Sequence, residues 1–396
     1  MKHPLTSIIM PMHNQLEYSK LAIESLYRNT NREEFELICI DDASTDGTSE
    51  YLDELYGVNV IHFKENVGFD RGVNAGIKKA KGEYTAILNN DLILTPYWLP
   101  QLITVLESDP HIGMVVPLCN CAPNYQQIVA PYSDIQDLDR FARQFNHTDP
   151  MRWQERIRLI FYAVLFRTRE LKGFGGMDER FSPGGFEDDD LSLRYRRAGY
   201  RLIFTTDTYV HHFGSRTMAQ TGRELLMRNK QKFYEKHHIH SWDLAEVNLA
   251  AVTAYDYPVG ESRNLLGVGS RAGATLQYLK AEYMEKRRIK PEFDYLCKDS
   301  TYLEDAVTIS RDANLYEKRD VLLTEEVKYD LIWFEDVVSE NEIEQIQEEY
   351  GKYLKMNGDL ILLLAFDTKL AENNKEFRLR YQRRIGDTRF CVFTKS

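Results

Sequence analysis

A short apolar run that ends abruptly in polar side chains, at residues 84–91, constrains the fold of this chain more than any other feature. The run begins Tyr-Thr-Ala-Ile-Leu and predicts a buried strand, because continuous apolar stretches of this length are typical of strands covered on both faces. Asn89, Asn90 and Asp91 follow directly and would lie at the edge of the sheet. Open α/β sheets bind ligands beyond the carboxyl ends of their strands, so Asp91 is well placed to hold a divalent cation against a diphosphate.

Strand patterns alternate with helix patterns around this run, which predicts a sheet built from βαβ units. Residues 7–10, 35–40 and 58–62 read as strands, and the second of them ends in Asp41 and Asp42. Helix capping would account for one acid at this position, whereas two adjacent acids also allow a carboxylate to accept a hydrogen bond from a base or a ribose hydroxyl. The sequence leaves both interpretations open.

A glycine-containing segment at residues 66–76 predicts a loop that enters a helix reaching Lys81. Its glycines permit a ligand to approach the backbone closely, and Arg71 together with the amino end of the helix offers positive charge to a phosphate. The segment therefore favours phosphate binding, although the glycine pattern by itself is weakly specific.

Four consecutive acids at residues 187–190 precede an amphipathic run, so they occupy the first turn of a predicted helix. The positive end of a helix favours one or two carboxylates there, but four adjacent acids also repel one another. Such crowding raises at least one pKa toward the value that a general base requires. We therefore interpret this turn as a candidate catalytic element.

Composition limits the classes of partner and compartment. The chain has 396 residues, with 50 Lys plus Arg against 61 Asp plus Glu, and the resulting net charge of -11 argues against nucleic acid and anionic membrane surfaces as partners. Five scattered cysteines without metal-type spacing indicate a reducing compartment. No apolar stretch reaches the length of a bilayer span and no signal-peptide core is seen, so we expect a cytoplasmic protein without stable membrane insertion. The length predicts two domains, with a boundary in the polar run at residues 238–243.

Several segments, taken in order and spacing, resemble the inverting glycosyltransferases of family 2, which have the GT-A fold. In the first half they are residues 7–11, 41–48, 66–76 and 88–91. Further along the chain, other segments resemble the family's acceptor-side signatures, particularly those of the rhamnosyltransferase-like branch. These are residues 174–181, 185–194, 198–200 and 211–214. The resemblance covers roughly the first 240 residues, and several motifs in order are stronger evidence than any single one.

The resemblance implies roles for individual residues. Asn90 and Asp91 fall on the family's metal-binding Asp-x-Asp site, with an asparagine in place of the first acid, so Asp91 would be the main carboxylate ligand. Asp188 would be the general base, with Glu187 beside it. His212 would approach the metal or the diphosphate, although the His-His pair alone indicates no site, and its imidazole suits Mn better than Ca. The predicted nucleotide-binding residues, with His13 where the family often has tyrosine, are Pro11, His13, Asn14, Asp41, Asp42, Asn66, Gly68, Arg71, Asn74 and Asn90.

The irregular segment at residues 119–153 lies where the same family has acceptor-recognition structure. Long irregular segments inside compact domains are usually functional loops. Its aromatic residues could stack on a sugar or pack the loop down, and the sequence does not decide between these possibilities.

The last third of the chain resembles the class I S-adenosylmethionine-dependent methyltransferases, again with a Rossmann-like sheet. The resemblance rests on residues 264–276, 329–336 and 353–362. The family carries an acid just before its glycine turn and a glycine at its centre, whereas this chain has Gly267 and Arg271 there. Such an arginine would obstruct a cofactor, so we expect a degenerate domain that does not use S-adenosylmethionine. Intact cofactor binding at Gly269 and Gly273 would instead favour an active methyltransferase, and Asp299 is either a ribose ligand or a surface acid.

We therefore predict an α/β protein with a GT-A domain at residues 1–243, followed by a smaller, degenerate methyltransferase-like Rossmann domain at residues 244–396. Its predicted activity is the inverting transfer of a hexosyl or deoxyhexosyl group from a UDP or dTDP sugar to a hydroxyl of a glycan, lipid-linked or protein acceptor. Mg or Mn is the predicted metal. The alternatives are a bifunctional glycosyltransferase and methyltransferase, and a non-catalytic module that binds a nucleotide sugar or a glycoprotein.

Overall fold

A computed structural model describes residues 5–130, 132–214, 222–259, 263–324, 326–369 and 376–396, so Pro131 of the irregular segment lies outside the described residues. The chain divides into two compact units, Met1–His238 and Ile239–Ser396. Each unit contains its own α/β sheet, as the alternation of patterns predicts. The domain boundary predicted at residue 243 lies close to this division and stays a prediction.

The first unit is built on an eight-stranded sheet in the order β3-β2-β1-β4-β8-β6-β9-β7, with β10 and β5 forming a separate two-stranded ladder. The strands are β1 (Thr6–Met12), β2 (Phe35–Asp42), β3 (Val58–Phe63), β4 (Tyr84–Leu88), β5 (Leu92–Ile93), β6 (Ile112–Leu118), β7 (Trp153–Glu155), β8 (Ala163–Arg167), β9 (Arg201–Tyr209) and β10 (His211–His212). Strands β3, β2, β1 and β4 run parallel, and β8 is antiparallel to β4.

Helices connect and cover these strands. They are α1 (Leu16–Asn29), α2 (Thr48–Asp53), α3 (Phe69–Lys79), α4 (Trp98–Glu107), α5 (Leu138–Phe145), α6 (Thr168–Gly173), α7 (Glu187–Arg197) and α8 (Arg223–His237). Every residue of β4 is buried, because the strand lies inside one core that also holds the apolar residues of β1 and β2. This confirms the buried strand predicted at residues 84–88.

The segment predicted to be irregular contains an α-helix, α5, so that prediction was wrong in part. Phe141 and Phe145 of α5 contact Tyr209 of β9, with ring centroids 5.3 and 6.2 Å apart. The aromatic residues of this segment therefore pack the chain onto the sheet, which is a tertiary interaction that the local sequence pattern does not reveal.

The second unit is built on a seven-stranded sheet in the order β13-β12-β11-β14-β15-β17-β16. Its elements are α9 (Ser241–Leu244), α10 (Leu249–Ala254), β11 (Asn264–Gly269), α11 (Ala274–Arg287), β12 (Glu292–Cys297), α12 (Leu303–Val307), β13 (Asp312–Leu315), α13 (Arg319–Leu322), β14 (Tyr329–Val338), α14 (Glu342–Gly351), β15 (Leu354–Ala365), β16 (Phe377–Ile385) and β17 (Thr388–Lys395). The first five strands are parallel, while β17 is antiparallel to both of its neighbours. The order from β13 to β15 is that of a doubly wound sheet. In the described part of the chain, no helix is both long enough and apolar enough to cross a bilayer.

Candidate active site

Five of the predicted nucleotide-binding residues lie where β1 and β2 end, and they are Pro11, His13, Asn14, Asp41 and Asp42. The two strands pair in parallel, with Met12 opposite Asp41, so their following loops leave the same edge of the sheet. The Asn14 amide N–H donates to Ser44 Oγ at 2.9 Å, and Asn14 Oδ1 accepts from the Thr45 N–H at 2.8 Å. His13 Nδ1 lies 2.6 Å from the Asp42 carbonyl oxygen. These bonds join the two loops into one surface, beside the half-buried Pro11 of β1.

The two acids that end β2 have different partners. Asp42 is buried, and its carboxylate accepts from the backbone N–H groups of Val67 and Gly68 at 2.7 and 2.9 Å. Asp41 accepts from the Ser44 N–H at 3.0 Å and lies 2.8 Å from His62 Nδ1. Asp42 therefore fixes the start of the 66–76 loop, and its predicted contact with a base stays a prediction.

A cleft of about 310 Å³ opens beside Asp41, at the carboxyl ends of β2 and β3. His62 lies on its wall and bridges two carboxylates, since its Nε2 is 3.1 Å from Asp53 Oδ1. The hydrogen bond to Asp41 is the main reason that the pKa of His62 is raised above its ordinary value. The lining residues are Asp41, Ala43, Ser44, Thr45, Ser49, Asp53, His62, Phe63 and Lys64.

The 66–76 loop is closed by packing within the protein. Gly68 has a φ of 86°, and a Cβ added to it would lie 2.4 Å from Pro183 Cα. Asn74 donates to the Met177 carbonyl at 2.9 Å, and the exposed Arg71 lies 3.6 Å from Glu179. Gly68 thus lies against Pro183, and its predicted contact with a phosphate stays a prediction. Asn66 is exposed at the start of the loop.

The short ladder of β5 and β10 brings Asp91 and His212 together, because His212 pairs with Leu92, the residue after Asp91. Their Nε2 and Oδ1 atoms are 3.1 Å apart, yet Nε2 lacks hydrogen-bond geometry to any partner. His212 Nδ1 lies 2.6 Å from the Cys121 carbonyl oxygen, which fixes Nδ1 as a donor and directs Nε2 toward Asp91. A hydrogen bond from the other ring nitrogen to a carbonyl is what orients histidine ligands of metals.

The charge around Asp91 and His212 favours a cation. Burial alone would lower the pKa of His212, but the Asp91 carboxylate outweighs burial and the pKa rises to about 10. Without a metal the imidazole would therefore keep its Nε2 proton beside Asp91, and a bound metal cation would replace that proton. Among the residues that the structure describes, no group of three or more His, Cys, Asp or Glu side chains could hold a metal. A cation here would therefore take its remaining ligands from diphosphate oxygens and water, as Mg²⁺ commonly does.

The neighbours of these two residues are engaged inside the protein. The Asn90 side chain donates to Ser19 Oγ of α1 at 2.9 Å, so it holds the end of β4 against that helix. His211 Nδ1 lies 2.5 Å from the Tyr132 hydroxyl, and burial lowers the pKa of His211 to about 4. His211 is thus a neutral, structural partner of the segment that contains α5.

The four acids that begin α7 separate into two pairs. Asp189 binds Arg158 Nη1 at 2.6 Å, and Asp190 binds Arg194 Nε at 2.8 Å and His237 Nε2 at 2.7 Å. Glu187 and Asp188 form no ion pair with any side chain that the structure describes. Asp188 instead accepts from the Asp189 backbone N–H at 2.8 Å.

The pKa values follow the same division. Burial raises the pKa of Glu187 to about 8, and the nearby Asp70 carboxyl adds to the effect. Burial, then the neighbouring acids, raises the pKa of Asp188 well above its ordinary value. Burial would raise the pKa of Asp190 too, but the hydrogen bond from His237 and the charge of Arg194 hold it below the ordinary value. Two acids of this turn are thus paired with cations, and the other two have raised pKa values.

A five-residue segment connects the acids of α7 with the strand end at Asp91. At one end Arg158 binds Asp189. At the other, the Tyr162 carbonyl accepts from the Asn89 N–H at 2.8 Å, and its ring stacks on His212 with centroids 5.4 Å apart. Four residue steps of extended chain span about 14 Å at most. This short segment therefore contacts both the helix turn that carries the candidate base and the strand end that carries the candidate metal ligands.

Sequence reasoning missed four residues of this site. His62 is the penultimate residue of β3, a strand that the sequence predicts, so its place near the sheet edge could be inferred from the pattern. Cys121, Arg158 and Tyr162 lie in segments without periodicity. Their roles depend on which loops meet across the sheet, and no local signal indicates that.

Residues 7–169 match the family model described as Glycosyl transferase family 2. The chain contains a family 2 glycosyltransferase domain. The matched residues include the predicted positions from Pro11 to Asp91. Glu187, Asp188 and His212 lie beyond the match but within the same compact unit.

Several curated proteins are similar to part of this chain. The uncharacterized protein y4gI of Sinorhizobium fredii is 24% identical over 268 residues, which are 61% of this chain and 28% of that protein. An uncharacterized glycosyltransferase of Haemophilus influenzae is 34% identical over 113 residues, 28% of this chain and 35% of that protein. The O-antigen biosynthesis protein RfbC of Myxococcus xanthus is 26% identical over 233 residues, 53% of this chain and 17% of that protein. The matched part of the chain thus spans about a third or less of these relatives.

Two solved structures are similar to part of the chain. One is the mannosyltransferase PcManGT from Pyrobaculum calidifontis in complex with GDP-Man and Mn2+, with 20% identity and a TM-score of 0.40 over 53% of this chain and 57% of that one. The other is TarS of S. aureus, with 19% identity and a TM-score of 0.41 over 52% of this chain and 36% of that one.

Proposed function

We propose that this protein is an inverting glycosyltransferase. It transfers a hexosyl or deoxyhexosyl group from a nucleotide diphosphate sugar of the UDP or dTDP type to a hydroxyl of a glycan, lipid-linked or protein acceptor. The observation that carries the proposal is the division of the acids in the first turn of α7. Asp189 and Asp190 bind cationic side chains, whereas Asp188 forms no ion pair with the described residues and has a raised pKa. A half-buried carboxylate left in that state is suited to general base catalysis.

The chemistry follows from the role of Asp188. Its carboxylate takes the proton of the acceptor hydroxyl while the hydroxyl oxygen attacks the anomeric carbon. The bond from that carbon to the diphosphate breaks on the opposite face, so the configuration inverts and the nucleotide diphosphate leaves. Glu187 lies beside the base, and its charge raises the pKa of Asp188. The pKa of the base is then closer to the pKa of the hydroxyl that it deprotonates.

Asp91 and His212 would hold the metal, Mg or Mn. The fixed Nδ1–H of His212 and the 3.1 Å between Nε2 and Asp91 Oδ1 fit two ligands that face one cation. When bound, such a cation neutralises charge on the departing diphosphate. An imidazole ligand favours Mn over Ca. The asparagine at position 90 supplies no carboxylate, so Asp91 is the principal charged ligand.

The nucleotide would lie along the edge formed by the ends of β1 and β2. His13 and Asn14 present polar side chains there, and the cleft beside Asp41 is lined by polar groups on the same edge. Asp42 can still accept from a base through its remaining lone pairs, since each carboxylate oxygen carries two.

For the second unit we propose a methyltransferase-like scaffold that does not use S-adenosylmethionine. A Cβ on Gly267 or Gly273 would lie 2.6 or 2.8 Å from the ring of Tyr295, a fully buried side chain. The space in which a cofactor would approach the glycine turn thus holds the protein's own tyrosine. Arg271 forms an ion pair with Glu246. These contacts disfavour the bifunctional alternative.

Calorimetric titration of the whole protein with UDP, dTDP and GDP, each with and without Mn, tests the donor site. We expect one nucleotide to bind in a metal-dependent way, and Asp91→Ala to weaken that binding by on the order of 10- to 100-fold or more. Glu17→Gln, an exposed acid on α1, is the matched control and should bind like wild type. Failure of every nucleotide to bind would contradict the proposal.

A further inference from the structure

Asp70, the second residue of α3, is an acid that the mechanism above does not use. Its side chain is completely buried, and neither carboxylate oxygen has a hydrogen-bond partner. An isolated carboxylate is too costly to bury in its charged form, so such a group either pairs with a cation or keeps its proton.

Most of the charged groups around Asp70 are negative. Burial is the largest cause that raises its pKa, to about 8, and the surrounding acids follow. Glu187, Asp188 and Asp190 face it from α7, while Asp178 and Glu179 face it from the turn before that helix. The nearby cation on α8, Lys232, donates its ammonium to the Arg180 carbonyl instead. A proton is therefore what neutralises Asp70.

The amino ends of α3 and α7 are fastened to each other. The Phe69 N–H donates to the Pro183 carbonyl at 3.0 Å, and Ser182 Oγ donates to the Val67 carbonyl at 2.8 Å. No Cβ fits at Gly68 against Pro183. Asp70 is thus held at a fixed place near the start of α7, where Glu187 Oε2 is also buried without a hydrogen-bond partner.

We propose that Asp70 is a positioning residue, which keeps its proton at neutral pH and donates it to Glu187 Oε2. One proton then lies between buried carboxylate oxygens that otherwise lack a hydrogen-bond partner, and the group of acids around the start of α7 carries one negative charge less. The bond holds Glu187, and through it the adjacent Asp188, in the arrangement that the base requires. This inference rests on the proposed function for the role of Asp188, but the protonation of Asp70 can be measured without turnover.

Stability as a function of pH tests the proton. The folded chain releases it near pH 8, whereas the unfolded chain does so near pH 4. Between these values the folded state of wild type binds one proton more than the unfolded state. The equilibrium constant for folding of wild type therefore falls by up to about tenfold per pH unit as the pH rises. Asp70→Asn lacks this dependence. The folding constant of Asp70→Asn relative to wild type should therefore rise, on the order of 100-fold or more, from pH 5 to pH 8.

Asp178→Asn is the matched control for this measurement. Burial would raise the pKa of Asp178, but hydrogen bonds from Arg180 and Lys236 lower it, so Asp178 is ionised across the range. The folding constant of Asp178→Asn relative to wild type should be below one and should not change from pH 5 to pH 9. A flat ratio for Asp70→Asn as well would overturn the proposal.

Turnover separates positioning from a purely structural role. Asp70→Asn keeps a donor for Glu187, so its kcat should stay within about threefold of wild type, whereas Asp70→Leu removes the donor and should lower kcat by about tenfold or more with KM for the donor sugar unchanged. Equal kcat for the two variants would overturn the positioning role. If wild type itself transfers no sugar, the proposed function fails, while the pH-dependent stability ratio still decides the proton on Asp70.

Discussion

The two sheets of this protein share a central strand order and differ at the edge where that order reverses. The first unit has β3-β2-β1-β4 and the second has β13-β12-β11-β14. In doubly wound sheets, ligands bind at the point where the strand order reverses, and both units have such a point. Among the described residues, His212 Nε2 at the first edge lacks a hydrogen-bond partner, whereas at the second edge most of the polar side chains are paired with one another and Glu335 Oε1 is the acid oxygen left without a partner.

The pairing at the second edge is specific. The Tyr295 hydroxyl donates to Glu335, and Ser270 Oγ donates to Asp336 at 2.9 Å. Lys298 lies 3.2 Å from the same Asp336. The fold therefore provides a similar sheet edge in both units. The chemistry at that edge depends on whether its side chains are left available to a ligand.

The largest effect is expected from Asp188→Asn, which removes the candidate base from the first edge. Loss of a general base costs about 10²- to 10⁴-fold in rate, and kcat measured with the donor that binds should fall within that range. Because Asp188 has a raised pKa, turnover of wild type should also rise with pH as the base ionises. Nucleotide affinity by calorimetry should change little.

Asp189→Asn is the matched control in the same helical turn. Asp189 binds Arg158, so its loss should lower stability by about 3–5 kcal/mol while the folded fraction still turns over. Unchanged turnover in Asp188→Asn would remove the base assignment and favour a non-catalytic binding module.

The next effect concerns the second edge. Tyr295→Ala leaves a cavity beneath the glycine turn and should lower the free energy of unfolding by about 3–5 kcal/mol, as for other buried aromatic truncations. Tyr295→Phe removes only the hydroxyl from Glu335, whose pKa burial raises to about 7, and should cost about 1–3 kcal/mol. Denaturant titration measures both variants.

The same edge should not bind S-adenosylmethionine in wild type, and calorimetry with that cofactor checks this. Binding in the micromolar range would show that Tyr295 moves aside. Both sheet edges would then bind a ligand, and the bifunctional glycosyltransferase and methyltransferase would again be a supported alternative.

The smallest effect concerns His62, which lies at the first edge and is about one third exposed. Its hydrogen bond to Asp41 raises its pKa, so the stabilisation is fully present below the unfolded value of about 6.5 and is lost as the pH rises through the folded value. His62→Gln should therefore lower stability more at pH 6 than at pH 8, by under about 1 kcal/mol because the pair is partly solvated. Thermal unfolding at both pH values measures the difference, and an equal loss at both would contradict the ion pair.

Much of the fold was predictable because it depends on local patterns. The apolar run at residues 84–88 and the alternation around it predicted β4 and its parallel neighbours, and the glycine turn at residues 264–276 predicted the start of the second sheet. The segment that contains α5 was not predicted, since Phe141 and Phe145 are ordered by contact with Tyr209.

The candidate site was predictable in its residue types and less so in its pairing. The four acids of α7 were visible as a cluster, and the sequence indicated that crowding would raise a pKa. Which acids would remain without a cation depended on Arg158 and Arg194. The burial of Asp70 gave no signal, because an acid near the start of a helix is ordinarily exposed and favourable there.

The sequence by itself determined the strand ends and the polar side chains that follow them, since hydrophobic periodicity and chain connectivity are local properties. Only the tertiary structure decided that Pro183 lies against Gly68, that Tyr295 fills the second glycine turn, and that His212 faces Asp91. These outcomes depend on which distant segments pack together. Packing sets burial and pairing, and through them the charge that each acid carries.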